Sequence, residues 1–115
     1  MNNRKDVVLK EVEQTMGMIP NFFKYQAEVD PDWCKLNLNR FQHIMLEGKL
    51  DRKTKEVIAV VVSILKNCNY CATSHTRMLK ALGASDEEIS EIYKVIELFQ
   101  SFTSIANSLN VPCDI

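Results

Sequence analysis

Apolar residues recur at helical rather than alternating spacing along most of this chain, and glycines, prolines and capping residues divide the runs. Val8, Leu9, Val12 and Met16 mark one face of a helix predicted over Arg4 to Met16, with Gly17 as its stop. Pro20 suits the first turn of a short helix carrying Phe22, Phe23 and Tyr25. Asp30-Pro31 reads as a cap followed by a first-turn proline. It opens a helix through Trp33, Leu36, Leu38, Phe41, Ile44 and Met45 that ends at Gly48. Asp51 caps the next helix, and Asn67 to Asn69 breaks it before another begins at about Cys68 and runs to Leu82, stopped by Gly83. Ser85 and Glu88 form a capping box ahead of a stripe of Ile89, Ile92, Tyr93 and Ile96. A last helix is expected over Leu98 to Leu109, ended by Pro112.

Val57 to Leu65 is the ambiguous stretch, because its β-branched density reads locally as a buried strand. The charged lead-in from Asp51 to Glu56 and the lack of a partner strand point instead to helix, since a lone strand leaves its backbone groups unpaired. A helix apolar on every face must be covered on every face, so it is expected to be the central helix or to lie at a subunit contact.

A chain of 115 residues fits one domain, taken here as 1–115. With 46% apolar and 25% charged residues it is a globular composition. The net charge of −1 offers no field to attract nucleic acid or an anionic membrane. No apolar stretch follows Met1 to Asp6 as a signal peptide would require, and Val57 to Leu65 is too short to span a bilayer. The expectation is a cytoplasmic protein. In a reducing compartment, four cysteines favour catalysis or metal binding over structural disulfides.

The chemistry concentrates between Glu56 and His75. Cys68 and Cys71, three positions apart, are neighbours on one helix face with Cβ atoms roughly 5–6 Å apart, and a disulfide needs about 3.5–4.5 Å. Slight tightening of a first helical turn would let them cycle between dithiol and disulfide. His75 lies four residues after Cys71 on the same face, within reach of its proton directly or through a water. At a helix amino terminus the partial positive charge and unsatisfied amides favour thiolate. Glu56 would sit roughly 18 Å from Cys68 on one continuous helix, at about 1.5 Å per residue. Either the chain folds back near Asn67 or a second subunit supplies the carboxylate.

The spacing Glu-x11-Cys-x2-Cys-x3-His resembles that of AhpD-like alkylhydroperoxidases, the thiol-active branch of the carboxymuconolactone decarboxylase family. Met18-Ile19-Pro20-Asn21-Phe22-Phe23 is similar to the family's opening segment, and Leu50 to Glu56 to the start of its central helix. The resemblance covers roughly residues 16 to 111 and decides the ambiguous stretch as helix. It implies an all-α fold of six or seven helices with the CxxC motif at a helix N-terminus, assembled as a homo-oligomer, a trimer or hexamer. It also implies a peroxidase or disulfide oxidoreductase without a bound cofactor. Cys71 would react with peroxide and Cys68 would resolve it, with Glu56 and His75 as proton relay. A dithiol reductant such as a lipoyl, thioredoxin or glutathione system would return the electrons. Tyr70 stands where the peroxidase branch often carries a His, and a phenol is no base near neutral pH. That substitution shifts weight towards general disulfide exchange.

Two other classes stand beside this reading. Cys68, Cys71, His75 and Glu56 supply the ligand types of a zinc site, and CxxC pairs from two subunits could hold an iron–sulfur cluster. The second is a non-catalytic oligomeric module. Cys34, beside Trp33, is expected in the core, His43 on a helix surface, Tyr70 at the wall of the site, and Cys113 in an accessible tail.

Overall fold

The computed structural model describes residues 3–115 as six α-helices, with no strand among those residues. The chain falls into two compact units, Met1–Leu50 and Asp51–Ile115.

In the first unit, Asn3 caps α1 (Arg4–Met16) by accepting from the Asp6 amide, and Gly17 ends it at φ 80°. A left-handed residue here is tolerated because glycine has no Cβ to clash. Pro20 stands one position earlier than expected, as the cap of α2 (Asn21–Val29), where its fixed φ of −65° leads the chain in. Asp30 accepts from the amides of Asp32 and Trp33 and so starts α3 (Pro31–Leu46), which stops two residues short of Gly48. Val8, Val12, Phe23, Ala27, Cys34 and Leu38 form one buried cluster at the meeting of the three helices. Cys34 is a core residue, as its setting beside Trp33 implies. Its Sγ faces the Phe23 carbonyl at 3.5 Å, and burial pushes its thiol up.

In the second unit, Asp51 accepts from the Thr54 amide at 2.7 Å and starts α4 (Arg52–Leu65), so the β-branched stretch is helical. Hydrophobic content there outweighs local propensity, which is a small bias per residue. α5 (Asn69–Ala81) returns alongside α4, and a second cluster of Val60, Leu79, Ala84 and Ile89 packs beneath them. The Ser85–Glu88 capping box is present at the start of α6 (Asp86–Ser108). α6 is a single helix of 23 residues rather than two, since nothing between Ile96 and Gln100 breaks or caps a helix. That sets the total among the described residues at six. Within the chain α4 is not covered on every face, because Ile58 and Val62 remain about half exposed at 49% and 51%, which leaves the expected subunit contact as the alternative.

Candidate active site at the head of α5

Two helix-terminating rules meet at Cys68. The amide of Cys68 donates to the Ser63 carbonyl at 2.9 Å and that of Asn67 to Ile64 at 3.1 Å, with Asn67 left-handed at φ 56°. This is a Schellman closure of α4, with asparagine in the position glycine usually takes. The next residue opens α5, so Cys68 both completes the end of one helix and caps the next. The turn answers the question raised by Glu56. The chain folds back within itself, and His75 Nδ1 comes to 2.7 Å from Glu56 Oε2.

Glu56 belongs to the inward stripe of α4 together with Val60 and Ser63, and it is only 1% exposed. Stranding a carboxylate there would cost several kcal/mol without partners. Both oxygens are satisfied: Oε2 by His75, and Oε1 by the Arg52 guanidinium one turn earlier, whose Nε and Nη2 both lie at 3.3 Å. With Nδ1–H donating to Glu56, the imidazole carries its acceptor lone pair on Nε2. His75 itself is partly exposed on α5, on the same helical face as the thiols. Arg52 was not singled out by the spacing argument. The signal available was its i, i+4 relation to the glutamate.

Both thiols are free and partly exposed. The amino-terminal polarisation expected for the pair falls on one of them. Cys68, as cap, accepts the amide of Cys71 at 3.4 Å through its sulfur. The Cys71 thiol donating to that sulfur, this amide and the Tyr70 amide together pull the Cys68 thiol below the usual cysteine range. Cys71 is pushed up to about 11, because its proton is held by Cys68, it is partly buried, and ionised Cys68 repels a second negative charge. The physical reason is positional. Cys71 is the third helical residue, so its amide is the group being capped, and its own side chain has no amide to accept. The dithiol therefore loses its first proton at Cys68 and retains one at Cys71.

Other singled-out residues lie apart from this chemistry. His43 is on the surface of α3 with Nδ1 at 2.8 Å from Glu47, and Cys113 is exposed with its Sγ 3.1 Å from the Ile115 carbonyl. Tyr70, about half exposed, stands in the first turn of α5 between the two cysteines. Among the described residues, no group of three or more His, Cys, Asp or Glu side chains converges as a metal site would require. No helix among them is long and apolar enough to cross a membrane.

The family model for the carboxymuconolactone decarboxylase family matches residues 31–112. Uncharacterized protein 4 in the cox locus of Paracoccus denitrificans is 35% identical over 48 residues, 42% of this chain and 43% of that protein. The alkyl hydroperoxide reductase AhpD of Mycobacteroides abscessus is 25% identical over 80 residues, 70% of this chain and 46% of that protein. The chain thus spans less than half the length of either curated relative. Its backbone is similar to the crystal structure of an alkylhydroperoxidase AhpD core from Rhodospirillum rubrum, with a TM-score of 0.89 and 28% identity. That match covers 96% of this chain and 83% of the other. An all-helical backbone, an AhpD core as structural neighbour and a family match over most of the sequence agree: the chain belongs to the carboxymuconolactone decarboxylase family, as an AhpD-like member.

Proposed function

We propose that the protein is a thiol-dependent oxidoreductase that cycles Cys68 and Cys71 between dithiol and disulfide, with Glu56 and His75 moving the proton. The observation that carries this reading is the 2.7 Å contact between the buried Glu56 and Nδ1 of His75, which stands on the helix that carries Cys71 and is capped by Cys68. Cys71, held up to about 11, needs a base at the moment it reacts. A histidine whose Nδ1 is engaged by a carboxylate offers Nε2 for that purpose.

In the peroxidase cycle Cys71 sulfur attacks the outer oxygen of a hydroperoxide as its proton passes to the relay. The O–O bond breaks, and the alkoxide leaves as alcohol after taking the proton back. The resulting sulfenic acid is attacked by Cys68, the S–O bond breaks, and hydroxide leaves as water on protonation. A lipoyl or thioredoxin dithiol, or two glutathione thiols, then reduces the disulfide, supplying two electrons and two protons. In the disulfide-reductase cycle Cys71 sulfur attacks a substrate disulfide instead, its S–S bond breaks and one thiol leaves with the proton, and Cys68 then attacks the mixed disulfide and releases the second thiol. Tyr70 at the position between the cysteines favours that second cycle.

We further infer a homo-oligomer. The outer half of α6 carries Phe99, Phe102 and Ile105, each more than half exposed, and Phe99 stacks edge-on only with Phe102 among the described ring pairs. A run of this kind is normally covered by a partner, and a second copy meets it at a trimer or hexamer contact. Sedimentation velocity on the whole chain reads this directly, and a monomer at micromolar concentration would remove it.

The catalytic reading is tested by supplying reduced lipoamide, thioredoxin or glutathione with a panel of hydroperoxides and disulfides. Turnover is expected with at least one pairing and is expected to vanish in Cys71→Ser. Rates unchanged in that variant would take the thiol out of the mechanism. Zinc or an iron–sulfur chromophore bound in stoichiometric amount to protein purified without oxygen would favour the ligand role instead.

A further inference from the structure

We propose that Arg52 is a positioning residue of the proton relay, fixing through Glu56 which nitrogen of His75 is left to act as base. The inference rests on the relay proposed above and extends it by one residue.

The geometry divides the Glu56 carboxylate between two tasks. Oε1 receives Nε and Nη2 of Arg52, both at 3.3 Å, and Oε2 receives His75 Nδ1 at 2.7 Å. A glutamate side chain has three rotatable bonds, and a hydrogen bond at one oxygen alone leaves the plane of the carboxylate free to turn about its terminal bond. Two donors from a planar guanidinium on the other oxygen restrict that turn, so Oε2 stays aimed at the imidazole. The Nδ1–H tautomer of His75 is thereby favoured and Nε2 stays unprotonated.

Charge gives Arg52 a second task. Glu56 is 1% exposed, and a carboxylate buried to that degree is costly without a counter-charge. The guanidinium, 25% exposed, supplies that charge from one turn away. Arg52 is also held in place at its backbone. It is the first residue of α4, and the Asp51 cap on the Thr54 amide fixes where that helix starts.

Lysine keeps the charge and loses the fork, whereas glutamine keeps a donor and loses the charge. The test compares Arg52→Lys and Arg52→Gln with the parent chain by two readouts. The first is nitrogen-15 NMR of the imidazoles, for which the protein has only two histidines to assign, with His43→Gln identifying the other. The parent is expected to show a single Nδ1–H tautomer at His75. Arg52→Gln is expected to show a mixture, and Arg52→Lys an intermediate state. The second is the steady-state kinetics of dithiol oxidation, read as kcat against KM. There kcat is expected to fall about 10- to 100-fold in Arg52→Gln, the magnitude usual for a residue orienting a functional histidine. KM should stay unchanged, with Arg52→Lys recovering part of the lost kcat.

A His75 tautomer and a kcat that match the parent in both variants would overturn the proposal. If Arg52→Gln does not fold, Arg52→Lys decides alone, with an intermediate tautomer expected and a parental one counting against. If the parent turns over no substrate, the catalytic reading fails while the NMR comparison still decides what Arg52 does.

Discussion

Each unit of the molecule buries a polar side chain among its helices, and the two are satisfied in different ways. In the first, Gln26 donates through Nε2 to the Phe22 carbonyl at 3.1 Å and accepts Asn37 Nδ2 on Oε1 at 2.7 Å. All groups are neutral, no proton can be exchanged among them, and the arrangement fixes how α2 meets α3. In the second, Glu56 takes the equivalent inward place on α4 but is answered by a guanidinium and an imidazole. A neutral amide pair specifies packing, whereas a carboxylate–imidazole pair beside two thiols can also accept and return a proton. Burial of polarity is common to both units; the capacity to titrate belongs to one.

Replacing the carboxylate by its amide breaks that distinction most sharply. Glu56→Gln keeps the size and some hydrogen bonding but makes the second unit resemble the first, and His75→Ala removes the acceptor outright. Each is expected to slow turnover by roughly 10²- to 10⁴-fold if proton transfer limits the rate. Steady-state kinetics with the best substrate pairing checks this, and a loss below about tenfold would reduce both residues to packing roles.

The converse variant belongs to the first unit. Leu38 is fully buried in a cluster with Val12 and Cys34, so Leu38→Ala leaves a cavity and is expected to destabilise that unit by about 2–5 kcal/mol. Urea denaturation followed by circular dichroism reads the loss, and the rate per folded molecule is expected to stay at the parental value. A fall in that rate with the fold intact would mean the two units share more of the chemistry than the buried side chains indicate.

Much of this was legible in the chain. Glycine stops, Asp caps and the Ser85–Glu88 box located helix starts and ends to within a few residues, because each acts locally on unsatisfied backbone groups. The expected division of α6 at Leu98 failed for the same reason in reverse, since an apolar run carries periodicity but no break. The approach of Glu56 to His75 was left open between fold-back and a second subunit. It depended on Asn67 adopting a left-handed turn, which spacing alone does not encode. Harder still was the asymmetry of the two thiols. Cys68 and Cys71 look equivalent as a motif, and only the start of α5 at Asn69 decides which sulfur receives an amide.

That asymmetry yields the smallest and most discriminating expectation. With Cys68 drawn below the usual range and Cys71 pushed up to about 11, iodoacetamide near neutral pH should modify Cys68 first. The margin is roughly tenfold, because lower basicity offsets part of the gain in thiolate. Cys71 should follow only as the pH climbs towards its own range. Since Cys68 causes most of that upward push, by holding the Cys71 proton and by its charge, Cys68→Ala should move the onset of Cys71 labelling to lower pH. Peptide mapping by mass spectrometry across a pH series measures both onsets. Equal labelling in the parent, or a Cys71 onset indifferent to Cys68, would mean that the cap does not divide the protons between the sulfurs. The base drawn from His75 would then have no raised thiol to act upon.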